Sequence, residues 1–225
     1  MTDTRRPRVV ELVGPAGAGK TTLARALPGL VPDVRAGLTL WGLPRPLLLA
    51  GALAVMPAVA AAARGRPLRG AAVRQMIRLG ALRHALERAA AGGARLIVLD
   101  EGPVFALSWL EVFHARDDDP AWRQWRRRAL QEWGGRLDVV VRLDAADSVL
   151  AHRIRTRAKP HPLKQSPDAE IFHFLACFRR AFDQVIGELA GFGHLRVLEL
   201  DPGGDPPGGR AARLRDALEE VPSGH

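Results

Sequence analysis

The stretch Gly14-Pro15-Ala16-Gly17-Ala18-Gly19-Lys20-Thr21 decides the fold. It matches the phosphate-binding pattern G-x-x-x-x-G-K-[ST] at every fixed position. A short apolar run that favours a β-strand precedes it, and residues 22–27 can open a helix after it. Strand, loop and helix in this order form the context in which such a loop holds a phosphate group, so we expect a nucleotide-binding site here.

The residue types of the loop suit an anion because backbone N–H groups can converge where side chains are small. Glycine at three positions permits the left-handed backbone and the close approach that the loop requires. We expect Lys20 to reach the β- and γ-phosphates and the Thr21 hydroxyl to hold Mg²⁺. The full set of expected nucleotide contacts is Gly14, Pro15, Ala16, Gly17, Ala18, Gly19, Lys20, Thr21 and Thr22.

Apolar runs alternate with helical stretches along the chain, which indicates an α/β fold with a doubly wound parallel sheet and helices on both faces. We assign residues 1–201 to one domain that carries a lid at about 153–168. Residues 202–225 are a Pro/Gly-rich tail with room for a short helix. The expected strands are 8–13, 96–99, 137–143 and 195–200, with a short strand or extended segment at 37–43. The expected helices are 22–27, 47–63, 70–91, 103–114, 120–133 and 168–189, with a further helix that Asp144 or Asp147 caps and that runs to about residue 158.

Two carboxylates, Asp100 and Glu101, follow the apolar run 96–99. The carboxyl end of a buried parallel strand is where ligands bind in such sheets, beside the phosphate loop. We expect Asp100 to hold Mg²⁺ together with Thr21, and Glu101 to orient or deprotonate an attacking hydroxyl. The alternative is that the pair caps a helix or lies in a solvated turn.

A third feature is basic. Arg153 and Arg157 are four residues apart and would share one helical face, whereas Arg155 points elsewhere. Positioned arginines stabilise the negative charge that spreads over a phosphoryl group in transfer, and a closing lid excludes water. The alternative is a solvated arginine face, which we prefer for Arg155.

These motifs in this order resemble the P-loop nucleoside and nucleotide kinases, with the thymidylate-kinase-like branch nearest. The resemblance implies the P-loop NTPase fold with a small helical lid, and ATP with Mg²⁺ as phosphoryl donor. It places an arginine at the Arg153 position near the adenine and lid arginines at the phosphates. It also implies an acceptor between the carboxyl ends of the strands and the helices at 47–91.

One departure from that family concerns the acceptor. Thymidylate kinases carry Asp-Arg after the corresponding strand, where this chain has Asp100-Glu101-Gly102-Pro103. The missing arginine argues against a thymidylate acceptor. We therefore expect phosphoryl transfer to an unidentified small molecule. The alternative is a P-loop NTPase that hydrolyses ATP or GTP as a regulatory switch and makes no phosphorylated product.

Composition limits the partners. The 225 residues carry a net charge of +9, mostly from arginine, but no basic tract interleaved with aromatic residues, so we do not expect nucleic acid. The uncharged segment 47–63 contains Gly51 and Pro57, and we expect helices that cover the core or a substrate pocket rather than a membrane contact. The polar N-terminus predicts a cytoplasmic protein. The oligomeric state stays open, with a homodimer among the options.

Overall fold

Five parallel strands form the centre of the molecule in a computed structural model, which describes residues 6–63, 68–114, 119–200 and 207–220. Their order across the sheet is β2-β3-β1-β4-β5, so the chain winds outward in both directions from β1. The strands are β1 Arg8–Val13, β2 Val34–Leu38, β3 Leu96–Asp100, β4 Val139–Leu143 and β5 Arg196–Leu200.

Helices cover both faces of the sheet, as the alternating pattern predicts. One buried cluster joins one sheet face to three helices, through residues such as Leu23, Leu150 and Leu214. A second cluster joins the other face to Leu82, Leu107 and Val185. The helices are α1 Lys20–Ala26, α2 Arg45–Ala63, α3 Gly70–Ala91, α4 Pro103–His114, α5 Pro120–Gly134, α6 Asp147–Thr156, α7 Asp168–Ala190 and α8 Pro207–Glu220.

The central strands are apolar in almost every position because both of their faces are buried. Val10 and Leu12 of β1 point into one cluster, and Val9 and Val13 point into the other. β1 pairs with β3 on one side and β4 on the other, so the three strands end together at one edge of the sheet. This edge carries the phosphate loop and the residues that follow β3.

The second strand lies earlier than predicted. We expected it over 37–43, but β2 ends at Leu38 and residues 39–44 form a connection to α2. Gly37 has a φ of 75°, and the register with β3 shifts between Ala36 and Leu38. The glycine therefore introduces a bulge near the end of the strand, whereas the sequence suggested a strand beginning there.

The C-terminal helix expected in the tail is present as α8, and it is packed against α1. Its Ala211, Leu214 and Leu218 are buried in the same cluster as Leu23 of α1. The predicted Pro/Gly-rich stretch from 202 falls largely outside the described residues, which resume at Pro207. α8 thus adds to the core of the α/β domain.

Candidate active site

The phosphate loop runs between the end of β1 and the start of α1, close to the end of β4. Gly17 and Gly19 have φ values of 90° and 96°, in the left-handed region that favours glycine. A Cβ atom on Gly14 would lie 2.0 Å from the carbonyl oxygen of Leu143. The glycines therefore serve both the loop conformation and its close approach to β4.

Lys20 is the first residue of α1 and its ammonium reaches back over the loop. Its Nζ donates hydrogen bonds to the carbonyl oxygens of Gly14, at 2.6 Å, and Pro15, at 3.2 Å. Burial lowers the pKa of Lys20, and the nearby charges of Glu101 and Asp100 oppose that change. The ammonium thus lies within electrostatic reach of the carboxylates at the end of β3.

Thr21 and Asp100 meet at the carboxyl edge of the sheet. The Thr21 hydroxyl donates to Asp100 Oδ2 at 2.6 Å, and the buried Oδ1 of Asp100 has no hydrogen-bond partner among the described residues. Hydroxyl and carboxylate oxygens suit Mg²⁺, which keeps several waters and is commonly shared with substrate phosphates. The described residues contain no cluster of three or more Asp, Glu, His or Cys that would hold a metal alone. The pair therefore fits Mg²⁺ carried by a nucleotide.

Glu101 has an unusual backbone and an aromatic partner. Its φ is 74°, and Nε1 of Trp41 donates a hydrogen bond to its Oε2. Burial raises the pKa of Glu101, while the charge of Lys20 acts in the opposite direction. The guanidinium of Arg78, from α3, lies 4.1 Å from the centroid of the Trp41 ring. Residues after β2, after β3 and on α3 are thereby brought together.

Glu11, in the middle of β1, supports the Glu101 segment from below. Its buried carboxyl accepts hydrogen bonds from three backbone N–H groups at the start of α4: Gly102 at 2.9 Å, Val104 at 2.8 Å and Phe105 at 3.0 Å. Burial raises the pKa of Glu11 to about 7, and these hydrogen bonds oppose the rise. No motif marks this residue in the sequence, although a single carboxylate inside an apolar strand is a signal that could have found it.

A cavity of about 220 Å³ lies on the other side of the loop. Nη1 of Arg153 donates to the carbonyl oxygen of Gly17 at 2.9 Å and so borders both the loop and the cavity. Arg210 of α8, which we expected to lie in the C-terminal tail, also lines the cavity. The lining residues are Gly17, Gly19, Thr22, Leu23, Arg153 and Arg210.

Arg157 does not share a helical face with Arg153, contrary to expectation, because α6 ends at Thr156. Arg157 has an extended backbone, and the prolines of the following segment prevent the helix from continuing. Its positive charge nevertheless contributes to the lowered pKa of Lys20. The structure thus brings Arg157 to the site from the loop that follows α6.

The segment predicted as a lid consists of the end of α6 and a loop of turns at 157–167. Arg155 donates to the carbonyl oxygen of Ser166 at 2.9 Å and pairs with Asp168 at 2.6 Å. Lys164 donates to the carbonyl oxygen of Arg157 at 2.8 Å. Arg155 therefore ties the loop to α7 and is paired, whereas we expected a solvated arginine at this position.

Solved structures share this architecture. Deoxyadenosine kinase from M. mycoides, with the products dCMP and a flexible dCDP bound, superimposes with a TM-score of 0.60 at 13% identity. The same enzyme with bound dATP gives a TM-score of 0.58 at 14% identity. Each comparison covers 95% of this chain and 100% of the other. The fold is that of the P-loop nucleoside kinases. No family model matches the chain, and no relative was found among curated proteins.

Within the P-loop nucleoside kinase fold, the expected site residues are arranged around the end of β1. Lys20, Thr21, Asp100 and Glu101 occupy one side of the phosphate loop, and Arg153 occupies the other. The narrower resemblance to the thymidylate-kinase-like branch is not confirmed by these neighbours. Trp41, Glu11 and Arg210 join the site only through the fold, since no short motif connects them to the loop.

Proposed function

We propose that the protein transfers the γ-phosphoryl group of ATP to a hydroxyl group of a small molecule, with a nucleoside as the acceptor class. The observation that carries this proposal is the pairing of Thr21 with Asp100, next to Lys20, with Glu101 as the following residue. This arrangement combines a phosphate loop, a metal-binding pair and a candidate base at one edge of the sheet. The fold of the deoxyadenosine kinase neighbours supports the nucleoside class.

The donor lies along the phosphate loop in this proposal. The loop amides and Lys20 hold its β- and γ-phosphates, and Arg153 with Thr22 borders the cavity that receives the base. Thr21 and Asp100 would hold Mg²⁺, which neutralises charge on the phosphates when it is bound. The unpartnered Oδ1 of Asp100 supports this assignment.

Glu101 acts as the base. The acceptor oxygen forms a bond to the γ-phosphorus, the bond from that phosphorus to the bridging oxygen of ADP breaks, and the hydroxyl proton passes to the Glu101 carboxylate. Trp41 holds the carboxylate in place through its indole N–H. Lys20 and Arg157 offset the negative charge that spreads over the transferred group.

The acceptor lies against Trp41 and Arg78. Trp41 is 45% exposed and its ring contacts the Arg78 guanidinium, so it offers an aromatic surface to a planar base. Asp100 and Glu101 make the strand end acidic, where thymidylate kinases have an arginine. Glu101 therefore supplies no cation to pair with a phosphate on the acceptor, which favours a nucleoside over a nucleotide.

Label transfer tests the proposal. ATP or GTP labelled in the γ-phosphate is incubated with a panel of nucleosides, nucleotides and sugars. Label on a nucleoside supports the kinase. If the label appears only as free phosphate, whichever acceptor is present, the result supports the regulatory switch and contradicts the proposal.

Two variants on α1 test whether the phosphate loop carries the reaction. Lys20→Ala should lower kcat/KM by about 10²-fold or more, because the ammonium stabilises charge that develops on the phosphates. Arg25→Ala removes an exposed cation from the last turn of the same helix and should leave the rate unchanged. Full turnover by Lys20→Ala would rule out the assigned site.

A further inference from the structure

Positive charge is concentrated in one part of the chain. The segment 34–86 contains eight arginines and no Asp or Glu, so it accounts for eight of the nine net positive charges. This segment includes α2, most of α3 and their connection. None of the proposed steps at the phosphate loop requires more than Arg78 from this set.

One face of α2 is fixed against α3. A Cβ atom on Gly51 would lie 2.3 Å from the carbonyl oxygen of Ile77 and 3.1 Å from Cβ of Ala81, so the two backbones are in close contact. Leu47 and Val55, on the same face as Gly51, are buried. The spacing of four residues between these positions follows the helical repeat.

The opposite face of α2 is apolar and exposed. Leu49, Leu53 and Met56 are 67%, 75% and 53% exposed, and Ala60 continues the same face one turn later. No charged residue interrupts it between Leu47 and Ala63. We expected this uncharged segment to cover the core or a pocket, but only one of its faces does so. Contiguous exposed apolar surface of this kind marks an interaction site.

The packing of α2 on α3 is incompatible with α2 crossing a membrane. Among the described residues, α2 is the one helix that is long and apolar enough to cross a membrane by length and composition. Its inner face, however, is joined through Gly51 to α3, which carries Arg74, Arg78 and Arg83. Lipid can therefore contact the outer face alone, as in helices that lie in the plane of a membrane surface.

Exposed arginines lie near both ends of α2. Arg45 begins α2, and Arg69 and Arg74 lie at the start of α3, which runs antiparallel beside the end of α2. No carboxylate pairs with any of the three in the ranges that the structure describes. By contrast, Arg83 pairs with Glu132. The three guanidinium groups are thus exposed near the two ends of α2 and available to anions.

We propose that the α2 face docks on the surface of an anionic lipid membrane. Leu49, Leu53 and Met56 enter the boundary between head groups and acyl chains, while Arg45, Arg69 and Arg74 bind lipid phosphates. A second copy of this chain would bring two such basic segments together, which charge repulsion opposes. Nucleic acid would match the arginines but would leave the leucines without an apolar partner.

Vesicle co-sedimentation with the full chain tests the proposal. We expect binding to vesicles that mix phosphatidylcholine and phosphatidylglycerol, and little binding to phosphatidylcholine alone. Leu53→Glu should weaken binding at least about tenfold, because it places a charge where the apolar contact forms. Val149→Glu introduces the same charge at an exposed apolar position on α6 and should leave binding unchanged.

Arginine variants separate the electrostatic contribution. Replacing Arg45, Arg69 and Arg74 by Gln should lower affinity for the mixed vesicles about fivefold for each residue removed. Arg123→Gln and Arg127→Gln change exposed positions on α5 and should have little effect. Thermal unfolding of each variant, together with its affinity for ATP, establishes that the fold is retained.

Three results would overturn the proposal. The first is equal binding to both vesicle types, and the second is unchanged binding by a folded Leu53→Glu variant. The third is the absence of binding to the mixed vesicles. A concentration-dependent dimer in sedimentation analysis, dissociated by Leu53→Glu, would then assign the face to a second copy of the chain. None of these readouts depends on phosphoryl transfer, so the docking proposal and the proposed function fail separately.

Discussion

The surroundings of Glu101 have opposite effects on its pKa. Burial raises its pKa, and Lys20 and the Trp41 hydrogen bond lower it, with burial the larger influence. A base works only when ionised, so activity should decline as pH falls through a pKa that lies above the ordinary value of 4.5. The unusual φ of 74° shows that the backbone is constrained at this residue.

Glu101→Gln should lower kcat by about 10²- to 10⁴-fold and remove the acid limb of the pH profile, because the amide cannot accept the proton. The measurement is kcat/KM against pH with the acceptor found by label transfer. Glu87→Gln, at an exposed position on α3, is the control. A Glu101→Gln variant with near-normal turnover would show that the base is another group.

Glu11 should make stability depend on pH. Its pKa is about 7 in the folded protein, against 4.5 ordinarily, so the folded state binds more protons than the unfolded state between those values. The contribution of Glu11 to the free energy of unfolding is therefore present below pH 4.5 and declines by up to about 3 kcal/mol as pH rises through 7.

The variant Glu11→Gln should flatten this dependence. The Gln amide also places its own N–H groups opposite a backbone N–H that now donates a hydrogen bond to the carboxyl. The free energy of unfolding at pH 5 should therefore be about 1–3 kcal/mol lower than in the parent. Denaturant unfolding at several pH values measures both effects, with exposed Glu170→Gln as control. A difference between parent and variant that stays constant with pH would exclude titration of Glu11 in this range.

At the level of elements, the contact of α2 with α3 depends on Gly51. Gly51→Ala should lower the free energy of unfolding by about 1–3 kcal/mol, since a Cβ atom would meet the carbonyl oxygen of Ile77 at 2.3 Å. Gly187→Ala, in α7, is the matched control: apart from its chain neighbours and its own helix backbone, no atom of the described residues lies within 4 Å of the new Cβ. Helix propensity should stabilise this variant by up to about 1 kcal/mol. Equal stabilities in denaturant unfolding would contradict the close contact.

Elements with strong local signals were predicted from the sequence. β1, α3 and β3 have the expected bounds within a residue because their apolar patterns end at polar or glycine residues. β2 was displaced because a bulge at Gly37 has no distinct pattern. The position of Asp100 beside Thr21 could be predicted, because the ends of parallel strands meet at one edge of the sheet. Trp41 and Glu11, by contrast, contact the Glu101 segment from distant parts of the chain, and local patterns do not specify such contacts.

At the scale of the whole molecule, α8 connects the end of the chain to the nucleotide side of the site. Leu214 is fully buried, and Arg8 donates a hydrogen bond to the carbonyl oxygen of Leu218. Arg210, one turn before Leu214, lines the cavity beside Gly19. The same helix therefore serves packing through one residue and the cavity through another, and the two contributions can be separated by substitution.

Leu214→Ala should lower the free energy of unfolding by about 2–5 kcal/mol through the cavity it leaves in the core. Arg210→Ala should raise the dissociation constant for ATP about tenfold, through a lost cation at the cavity, with a smaller change in Tm than Leu214→Ala. Calorimetric titration and thermal unfolding measure the two effects, with exposed Glu219→Ala as control. Leu214 lies in the core and not in the cavity lining, so Arg210 is the residue through which α8 would contact ATP. Unchanged ATP affinity in Arg210→Ala would therefore show that α8 contributes packing alone.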